Sequence, residues 1–398
     1  MEMHSSVPKR RKADDLERQL EETIRSGRYA SESAIPSLRD LAKAYGVHYN
    51  TAQTVIKRLA EKGLVNRVKR RGVFVSRTAG TASHAVADRA IPRLAGPGTL
   101  GVMYVEALAV DRNNSDHGLV RAIEAAASET GGRVLFYDLD AVSLADPAGL
   151  VDRCLADSVG GVIVVGVRDT EPLGPILSQL QKWHVPVVVC PLARQSIAAS
   201  LDVPVVDADN RIAGVVAAQH LFELGHRELA VVTYDRPRPY IEERISGAIA
   251  ICERHGLHWD AGRIIRLPVA EMQPAEYCRV GYEAFARLDP AVTGVFCIND
   301  SVAAGLIDAA TAAGHRIGQT LSVVGHDNDE RYLSKHITTV VAPLARIGRR
   351  ALEVLVRSSL GSAGISPEHI LLRSQLIWRR STGAPVLAAT LPGSQACL

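Results

Sequence analysis

Residues 38–61 carry the spacing of two short amphipathic helices joined by a tight turn. Apolar side chains recur there every three or four positions, as they do on the buried face of a helix. Gly46 separates the two groups and suits the left-handed conformation that ends many helices. Helices this short are stable only when they pack on each other and on a further element, so the segment predicts a helix-turn-helix inside a small domain. The apolar positions are Leu38, Leu41, Ala42, Ala52, Val55, Ile56 and Leu59.

Elements on both sides complete this small domain. Apolar residues at every fourth position over 16–24 predict a preceding helix. The runs 64–65 and 73–75 are short and β-type, so they predict a hairpin after the helices. The segment 35–75 therefore predicts a winged helix-turn-helix whose wing is basic. The residues between the two strands include Arg67, Lys69, Arg70, Arg71 and Gly72.

The third helix of this domain leaves a polar face pointing outward. Asn and Gln side chains can bond to two atoms of adenine, and Thr can meet the methyl group of thymine. Taken alone, this face is explained equally well as an ordinary solvated helix surface. The basic hairpin favours DNA, because it supplies phosphate contacts beside a reading helix. The outward residues are Tyr49, Asn50, Thr51, Gln53, Thr54 and Lys57.

The charge of the chain is distributed unevenly. Residues 1–78 hold 17 Lys and Arg against 9 Asp and Glu, whereas the rest of the chain holds 29 against 34. The N-terminal domain, residues 13–76 and hereafter the head, is thus basic, while the remainder is acidic. This asymmetry indicates a polyanionic partner for the head alone.

As an ordered set, the residues of the head resemble the GntR family of bacterial regulators. The resemblance implies that Arg39 contacts DNA, that the third helix reads the major groove, and that Arg71 and Gly72 enter the minor groove. It covers residues 14–76. The set comprises Pro36-Ser37, Arg39, Leu41-Ala42, Gly46-Val47, Thr51, Leu59, Gly63-Leu64, Gly72, Phe74 and Val75.

The chain departs from this family on the reading face. His48 and Tyr49 stand where the family usually has Ser and Arg, and Gln53 stands where another Arg is common. These departures predict an altered operator sequence and leave the predicted fold unchanged. The predicted DNA contacts are Arg39, His48, Tyr49, Asn50, Thr51, Gln53, Thr54, Lys57, Lys69, Arg70, Arg71 and Gly72.

Two segments bracket the head. Residues 1–12 include the basic run 9–12 and predict a disordered arm, which either adds phosphate contacts or is merely solvated. Residues 77–98 are rich in small residues and contain two prolines, so they predict a flexible linker. At the far end, residues 384–398 are expected to form a tail.

Between residues 99 and 383, apolar β-type runs alternate with helical patterns. The runs lack polar alternation, which is typical of parallel strands buried on both faces. They predict a doubly wound parallel α/β architecture in two lobes, each with a sheet of about five or six strands. The predicted strands are 100–105, 134–137, 161–165, 185–189, 229–233, 294–298 and 321–324. The predicted helices are 119–130, 176–183, 212–224, 282–288 and 302–313.

A series of short motifs in this body resembles the effector domain of the LacI/GalR family, which is similar to periplasmic sugar-binding proteins. The resemblance implies two lobes that enclose a small molecule and a body that dimerises. The motifs are Asp209-Asn210, Leu224-Gly225-His226-Arg227, Arg244-x-x-Gly247, Asn299-Asp300, the run Ser322 to Asp327, Thr338-Thr339-Val340 and Arg379-Arg380-Ser381-Thr382.

Candidate effector contacts follow predicted strands, since ligands gather at the carboxyl ends of strands in open parallel sheets. Asp300 and Asp327 stand at two such ends, and Arg244 opens a helix that faces the same gap. Carboxylates and a guanidinium bond well to the hydroxyl groups of a sugar. The resemblance implies that Arg244 and Asp300 contact the ligand and that Asp327 supports the ligand or the hinge. Asp116 and His117 in the first loop are further pocket candidates, although solvated loop residues are more common.

The first loop lacks one signature of sugar-binding relatives. Many of them have an Asn-Pro-aromatic-aromatic motif there, whereas this chain has polar residues over 113–117. An ordinary hexose is therefore less favoured as the ligand. Tyr104 and Tyr240 are alternative stacking residues, although a core or surface role is more common for such aromatics.

Several functional classes find no support in the sequence. It has no Gly-x-Ser-x-Gly elbow, no Walker loop and no metal-spaced histidines, so we expect neither enzymatic activity, nor a cofactor, nor a metal site. The six cysteines are scattered, which predicts reduced thiols in a cytoplasmic protein. No run of eighteen apolar residues appears, and we expect no membrane partner.

These observations predict a cytoplasmic one-component bacterial regulator of transcription, and a repressor rather than an activator. Its expected partners are a double-stranded DNA operator, a sugar-like small molecule held between two lobes, and a second copy of the chain. Two alternatives stay open at this point. One is a regulator that senses a nucleoside or another non-sugar ligand, and the other is a cytosolic ligand-binding protein or enzyme whose head no longer binds DNA.

Overall fold

A computed structural model describes most of the head and of the body. Four predictions fall outside it: the N-terminal arm over 1–8, the tip of the wing at 69–71, the linker over 77–97, and the tail from 387 onward. The described ranges are 9–25, 29, 33–68, 72–76, 98–104, 115–139, 145–166, 173–191, 202–236, 238–271, 273–359 and 367–386.

The head is a winged helix-turn-helix, as predicted. Its three helices pack around one apolar cluster, and the described strands form a small antiparallel sheet in the order β1-β3-β2. The strand β1 was not predicted, because two residues are too few to show a period. The elements are α1 (Lys9–Arg25), β1 (Ala34–Ile35), α2 (Leu38–Ala44), α3 (Tyr49–Glu61), β2 (Val65–Val68) and β3 (Gly72–Val75).

Helix α1 begins earlier than expected and packs on α3 through charges. It starts at Lys9, so the prediction of a disordered arm is wrong for residues 9–12. Glu17 accepts hydrogen bonds from Arg58 of α3 and from Lys62, the residue that follows α3, each at 2.9 Å. The bond with Arg58, and then the bond with Lys62, lower the pKa of Glu17. Arg58 and Lys62 are thus engaged in ion pairs within the head.

The body consists of two lobes, each built on one of the six-stranded sheets that the described residues form. Lobe 1 has the order β14-β8-β7-β6-β4-β5 and is parallel throughout. Lobe 2 has the order β10-β9-β11-β12-β13-β15, and β15 alone among these strands is antiparallel to its neighbour. The predicted two-lobed, doubly wound α/β architecture is confirmed.

The strands of the body cover more of the chain than predicted. They are β4 (Thr99–Tyr104), β5 (Arg133–Asp138), β6 (Val162–Val165), β7 (Val187–Cys190), β8 (Val205–Asp209), β9 (Leu229–Tyr234), β10 (Ile264–Leu267), β11 (Gly294–Cys297), β12 (Ser322–His326), β13 (Thr338–Val341), β14 (His369–Arg373) and β15 (Gln375–Ile377). Among those missed, β14 alternates exposed and half-buried residues because it lies at a sheet edge, so it lacks the apolar run of a central strand.

The helices of the body cover the faces of the two sheets. They are α4 (Ser115–Glu129), α5 (Pro147–Ala156), α6 (Leu173–Lys182), α7 (Asn210–Glu223), α8 (Pro239–Arg254), α9 (Pro274–Phe285), α10 (Asp300–Ala312) and α11 (Leu344–Ser359). The helix predicted over 282–288 is wrong in position, since α9 starts at Pro274. Its buried face carries the small residues Gly281 and Ala284, which give a weak apolar signal. Of the described helices, none has the length and hydropathy needed to cross a membrane.

The described chain passes between the lobes three times, and these crossings form a hinge. The first runs from β8 into α7, the second from β13 into α11, and the third from β14 into β15. At the first crossing, Asp209 ends β8 and accepts a hydrogen bond from the backbone N–H of Ile212 in α7 at 2.8 Å. One side chain thus joins a strand of lobe 1 to a helix of lobe 2.

Candidate DNA-binding surface and effector cleft

Helix α3 presents the outward face that its sequence predicts. Its apolar residues are buried, whereas Asn50, Gln53 and Lys57 are exposed, and Tyr49 is 41% exposed. His48 caps the helix, since its Nδ1 accepts a hydrogen bond from the backbone N–H of Asn50 at 3.4 Å. This gives His48 a structural role at the helix start in addition to the predicted DNA contact.

Thr51 and Thr54 lie on the same helix but differ in their exposure to solvent, and hence to DNA. Thr51 is half-buried, while Thr54 is exposed and donates its hydroxyl hydrogen to the carbonyl of Asn50 at 2.8 Å. This bond fixes the rotamer of an exposed side chain. The methyl group of an exposed Thr is suited to contact with thymine.

Arg39 and Gly72, two further predicted DNA contacts, lie on α2 and at the start of β3. Arg39 is exposed on α2, which begins after Ser37, whose hydroxyl accepts from the backbone N–H of Asp40. Gly72 opens β3 with φ of 118°, a conformation that side-chain-bearing residues rarely adopt. The predicted contacts Lys69, Arg70 and Arg71 lie outside the described residues.

In lobe 2, close helix packing sets the position of Arg244. A Cβ atom added to Gly214 of α7 would lie 1.8 Å from the carbonyl oxygen of Arg244, and one added to Gly247 of α8 would lie 1.9 Å from that of Arg211. The two glycines thus allow α7 and α8 to touch backbone to backbone. This contact brings the start of α8 against the start of α7, where the hinge lies.

The guanidinium of Arg244 is buried and held by both the hinge and a strand end. Its Nε donates to Oδ1 of Asn210 at 3.0 Å, and its Nη1 donates to the carbonyl of Ile298, just after β11, at 2.9 Å. It also lies 5.0 Å from the ring centroid of Tyr240. A fixed cation at the carboxyl end of the sheet is well suited to bind a hydroxyl or carboxylate oxygen.

Asp327 reaches the same region from the end of β12. Its side chain keeps 33% of its exposure, although its Oδ1 lies 2.5 Å from Nδ1 of buried His326. Burial disfavours its charged form, but the nearby His326 and Arg244 outweigh this and lower the pKa of Asp327. Asp327 is thus an anionic acceptor beside a fixed cation. Its φ of 101° is strained for a non-glycine residue, and such strain concentrates at ligand sites.

Asp300 takes a different place from the one expected of a ligand contact. It is 2% exposed, and its Oδ2 accepts a hydrogen bond from the backbone N–H of Asp329 at 2.9 Å. A Cβ atom at Gly325 would lie 2.0 Å from its Oδ1. Burial, and then the charge of Asp327, raise the pKa of Asp300 well above its usual range. Asp300 therefore lies beneath the loop that carries Asp327 and supports that loop.

An aromatic wall stands beside these charges. Tyr234 and Tyr277 stack with ring centroids 4.8 Å apart, and the hydroxyl groups of Tyr234 and Tyr240 are 2.7 Å apart. Tyr240 and Tyr277 are half-buried and thus keep exposed ring surface. Sequence reasoning considered Tyr240 but missed Tyr277, which lies on the helix whose position was mispredicted.

Asn299 is a further candidate that sequence reasoning did not single out. It follows β11, is half-buried, and accepts a hydrogen bond from the backbone N–H of Val302 at 2.8 Å, which caps α10. The signal was present, because an Asn between a buried strand and a helix is typical of an N-cap at a strand end. The cap orients its amide at the edge of the sheet.

The wall that lobe 1 contributes is described only in part. The loops 105–114, 140–144, 167–172 and 192–201, which follow four of its strands, lie outside the described residues. Asp116 and His117 are in the first turn of α4. His117 is half-buried, and the side chain of Asp116 is outside the described set. Among described residues, no group of His, Cys, Asp or Glu side chains is arranged as metal ligands would be.

Two family profiles match the chain in the regions just described. Residues 12–75 match the bacterial regulatory proteins of the gntR family, and residues 218–382 match a periplasmic binding protein-like domain. The chain is a GntR-headed transcriptional regulator with a periplasmic-binding-protein-like body. In this regulator the first profile covers the head, and the second covers most of lobe 2, including Arg244 and Asp327, together with the last helix and strand of lobe 1.

Curated relatives of the regulator are HTH-type regulators. It is 25% identical over 268 residues to the repressor CytR of Escherichia coli, spanning 67% of this chain and 75% of that protein. It is 26% identical over 352 residues to DegA of Bacillus subtilis, spanning 87% and 98%. These matches extend well beyond the head and therefore include the body.

Solved structures of LacI-type regulators share the fold of this one. A LacI family regulator from Enterococcus faecium with bound ribose matches with a TM-score of 0.54 at 26% identity, over 72% of this chain and 99% of that chain. The complex of the regulator CelR with cellobiose matches with a TM-score of 0.57 at 20% identity, over 87% and 100%. The second likeness concerns the fold alone.

Proposed function

We propose that this protein is a repressor that holds a two-fold operator as a homodimer and responds to a small polar molecule bound between its lobes. The observation that carries the DNA-binding part is the outward face of α3, where Asn50, Gln53 and Thr54 are exposed beside the wing. A dimer presents two such helices, so it favours an operator of two-fold symmetry. A cytoplasmic location follows from this role.

The effector of this proposal is a hydroxyl-rich ligand, a sugar or sugar derivative. Arg244 and Asp327 offer a donor and an acceptor at one strand-end edge, and Asn299 lies at the same edge. Ribose and cellobiose, which are bound to the two solved relatives, belong to this class. Asp300 contributes by holding the loop of Asp327.

A nucleoside is the second candidate ligand. The half-exposed rings of Tyr240 and Tyr277 favour it, because a planar base stacks well on aromatic side chains. The ribose of a nucleoside would still meet the carboxylate and guanidinium. An enzymatic role gains no support from the site. Arg244 is bonded to Asn210 and to the carbonyl of Ile298, and Asp327 lies against His326.

Control of DNA binding in this proposal is an equilibrium between open and closed lobes. Arg244 is bonded to Asn210 at the hinge, so a ligand held by Arg244 acts directly on the relative position of the lobes. The effector changes DNA affinity only as far as it binds the two states differently.

Binding to a random-sequence duplex at two salt concentrations tests this function. The logarithm of affinity should fall with the logarithm of salt, by about 0.9 for each phosphate contacted. Arg39→Ala should weaken binding and reduce this slope by about one contact, because the exposed Arg39 flanks α3. Arg121→Ala removes an equally exposed cation from α4 and should change neither quantity. Absence of binding at low salt, by the wild type and by every variant tested, would contradict the proposal.

A further inference from the structure

The head does not hang free of the body but rests on lobe 2. The ring of Tyr29, just after α1, stacks on the indole of Trp378 with centroids 5.7 Å apart and planes at 26°. The backbone of Tyr29 also forms a bridge with Leu376 of β15. Tyr29 is 3% exposed and Trp378 is 7% exposed, so the contact is a buried one. Head and lobe 2 consequently share one continuous apolar cluster.

Trp378 also has aromatic and polar neighbours within lobe 2. The imidazole of buried His220 in α7 packs edge-on against the indole at 4.7 Å. His220 is in turn 2.9 Å from the hydroxyl of Thr382. The indole is therefore a fixed platform of lobe 2, and Tyr29 is the group of the head that is placed on it.

A cavity of about 1300 Å³ lies beside this contact, between the head and lobe 2. Arg39, Tyr49 and Gly72, three of the predicted DNA contacts, are on its head side. One edge of the predicted DNA-binding surface therefore faces the body across the cavity, while Asn50 and Gln53 of α3 are exposed outside its lining. The lobe 2 side includes Trp378 and its neighbour Arg379.

This placement brings lobe 2 next to the space that a duplex bound to α3 would occupy. A helix that reads the major groove enters a channel about 12 Å wide and about 8.5 Å deep. The two DNA strands must then lie on either side of α3, in the space next to Arg39 and Tyr49. Lobe 2 borders that space on the far side of the cavity, so a duplex there would meet lobe 2 unless the head left Trp378.

The docking platform is connected to the effector cleft through Arg379, the neighbour of Trp378. The Nη1 of Arg379 donates to the carbonyl of Ile337 at 2.8 Å, and its Nη2 donates to Oδ1 of Asn328 at 2.5 Å. Asn328 follows Asp327, and both have positive φ. A ligand that moves this strained loop therefore moves the partner of Arg379, next to the ring on which the head rests.

We infer that the Trp378 surface of lobe 2 is a docking site for the protein's own head, and that the docked head is the form unable to bind DNA. The loop 327–329 and Arg379 make the docked fraction sensitive to the effector. This inference rests on the proposed function, since it concerns how DNA binding is controlled. The apparent association constant for DNA is then the constant of a free head multiplied by the fraction of heads that are free.

Tryptophan fluorescence of the full chain tests the docking directly. Trp183→Phe with Trp259→Phe leaves Trp378 as the sole tryptophan of the sequence. The probe is a random-sequence duplex of about 30 base pairs, long enough for two half-sites one helical turn apart. We expect the emission of Trp378 to shift towards that of an exposed indole, in step with the fraction of duplex bound as measured by anisotropy of a labelled strand.

Variants of the stacked pair supply the matched comparison. Tyr29→Ala should shift the Trp378 emission without DNA and raise DNA affinity roughly two- to tenfold, the range expected for loss of one aromatic pair. Tyr29→Phe retains the ring and should keep the wild-type emission and affinity. Trp378→Leu removes the platform without altering the head and should give the same gain in affinity as Tyr29→Ala.

The outcomes separate the docking from the proposed function. If the wild type binds the duplex while the Trp378 emission stays constant, the docked head coexists with DNA and the docking inference is wrong. If Tyr29→Ala and Trp378→Leu leave affinity unchanged, the docking is not inhibitory. If only these two variants bind DNA, inhibition by docking is supported. If no variant binds at low salt, both the inference and the proposed function fail.

Discussion

At the scale of single residues, His226 shows how a buried polar group shapes lobe 2. It precedes β9 and is fully buried, with Nδ1 at 2.9 Å from the hydroxyl of Thr293 and Nε2 at 3.0 Å from the carbonyl of Gly383. Both ring nitrogens are thereby satisfied in the neutral form. Burial lowers the pKa of His226 to about 4, against an ordinary value of 6.5.

The lowered pKa of His226 predicts that the free energy of unfolding depends on pH. Below about pH 6.5 the unfolded chain binds a proton at His226 that the folded chain does not, so stability is complete above that pH and is lost as pH falls towards 4. The loss should reach about 3 kcal/mol in the free energy of unfolding. Urea unfolding between pH 7 and pH 4 measures it.

His258 offers the matched control for that experiment. It is exposed and paired with Asp260, so His258→Gln should leave the pH dependence nearly unchanged. His226→Gln should flatten the dependence even if it destabilises lobe 2 at neutral pH. An equal slope in His226→Gln and the wild type would refute the assignment.

At the scale of elements, glycines determine how the helices of lobe 2 pair. Gly214 and Gly247 bring α7 and α8 into backbone contact, and Gly281 and Gly305 do the same for α9 and α10. A helix normally loses about 1 kcal/mol by having Gly in place of Ala, so these positions carry a cost that close packing offsets. The first pair also positions Arg244.

Gly247→Ala should therefore destabilise the protein despite its better helix propensity. The new Cβ would lie 1.9 Å from the carbonyl oxygen of Arg211, which forces α7 and α8 apart. We expect a loss of about 1–3 kcal/mol, typical of overpacking, and weaker effector binding as Arg244 shifts. Gly174→Ala in α6 adds the same atom where nothing lies within 4 Å, and should be neutral or stabilising. Thermal unfolding that ranks the two variants equally would contradict this account.

At the scale of the whole molecule, the cleft, the hinge and the head form one connected system. Arg244 joins the cleft to Asn210 at the first crossing between the lobes, and Arg379 joins the loop after Asp327 to the platform under the head. A ligand in the cleft is thus expected to change both the closure of the lobes and the docking of the head.

Lobe closure gives a prediction for the full chain with ribose, cellobiose and adenosine as probes. A ligand that binds the folded protein raises its Tm in proportion to the logarithm of its concentration over Kd. At least one probe should raise Tm and reduce the radius of gyration measured by small-angle scattering. Asp327→Asn should abolish both effects, because it removes the anionic acceptor of the cleft.

Asp152→Asn serves as the control, since this carboxylate is exposed on α5 in lobe 1. It should preserve both the rise in Tm and the compaction. A probe that acts equally on the wild type and Asp327→Asn would show that the effector binds elsewhere. The choice between a sugar and a nucleoside follows from which probe acts.

The sequence by itself determined the helix-turn-helix, the outward face of α3 and the two α/β lobes. These features depend on the periodicity of apolar residues along short segments, which a chain displays without reference to distant parts. It also placed Asp300 and Asp327 at strand ends and Arg244 on a helix facing the same gap, because parallel sheets gather their carboxyl ends at one edge.

Only the tertiary structure decided where side chains point within those elements. Asp300 and Asp327 both follow strands, yet one lies under the loop and the other faces the cleft. Tyr29 and Trp378 are nearly as far apart in sequence as the chain allows, and nothing local to either residue indicates their contact. Such contacts depend on how whole elements pack, and packing is set by many distant residues at once.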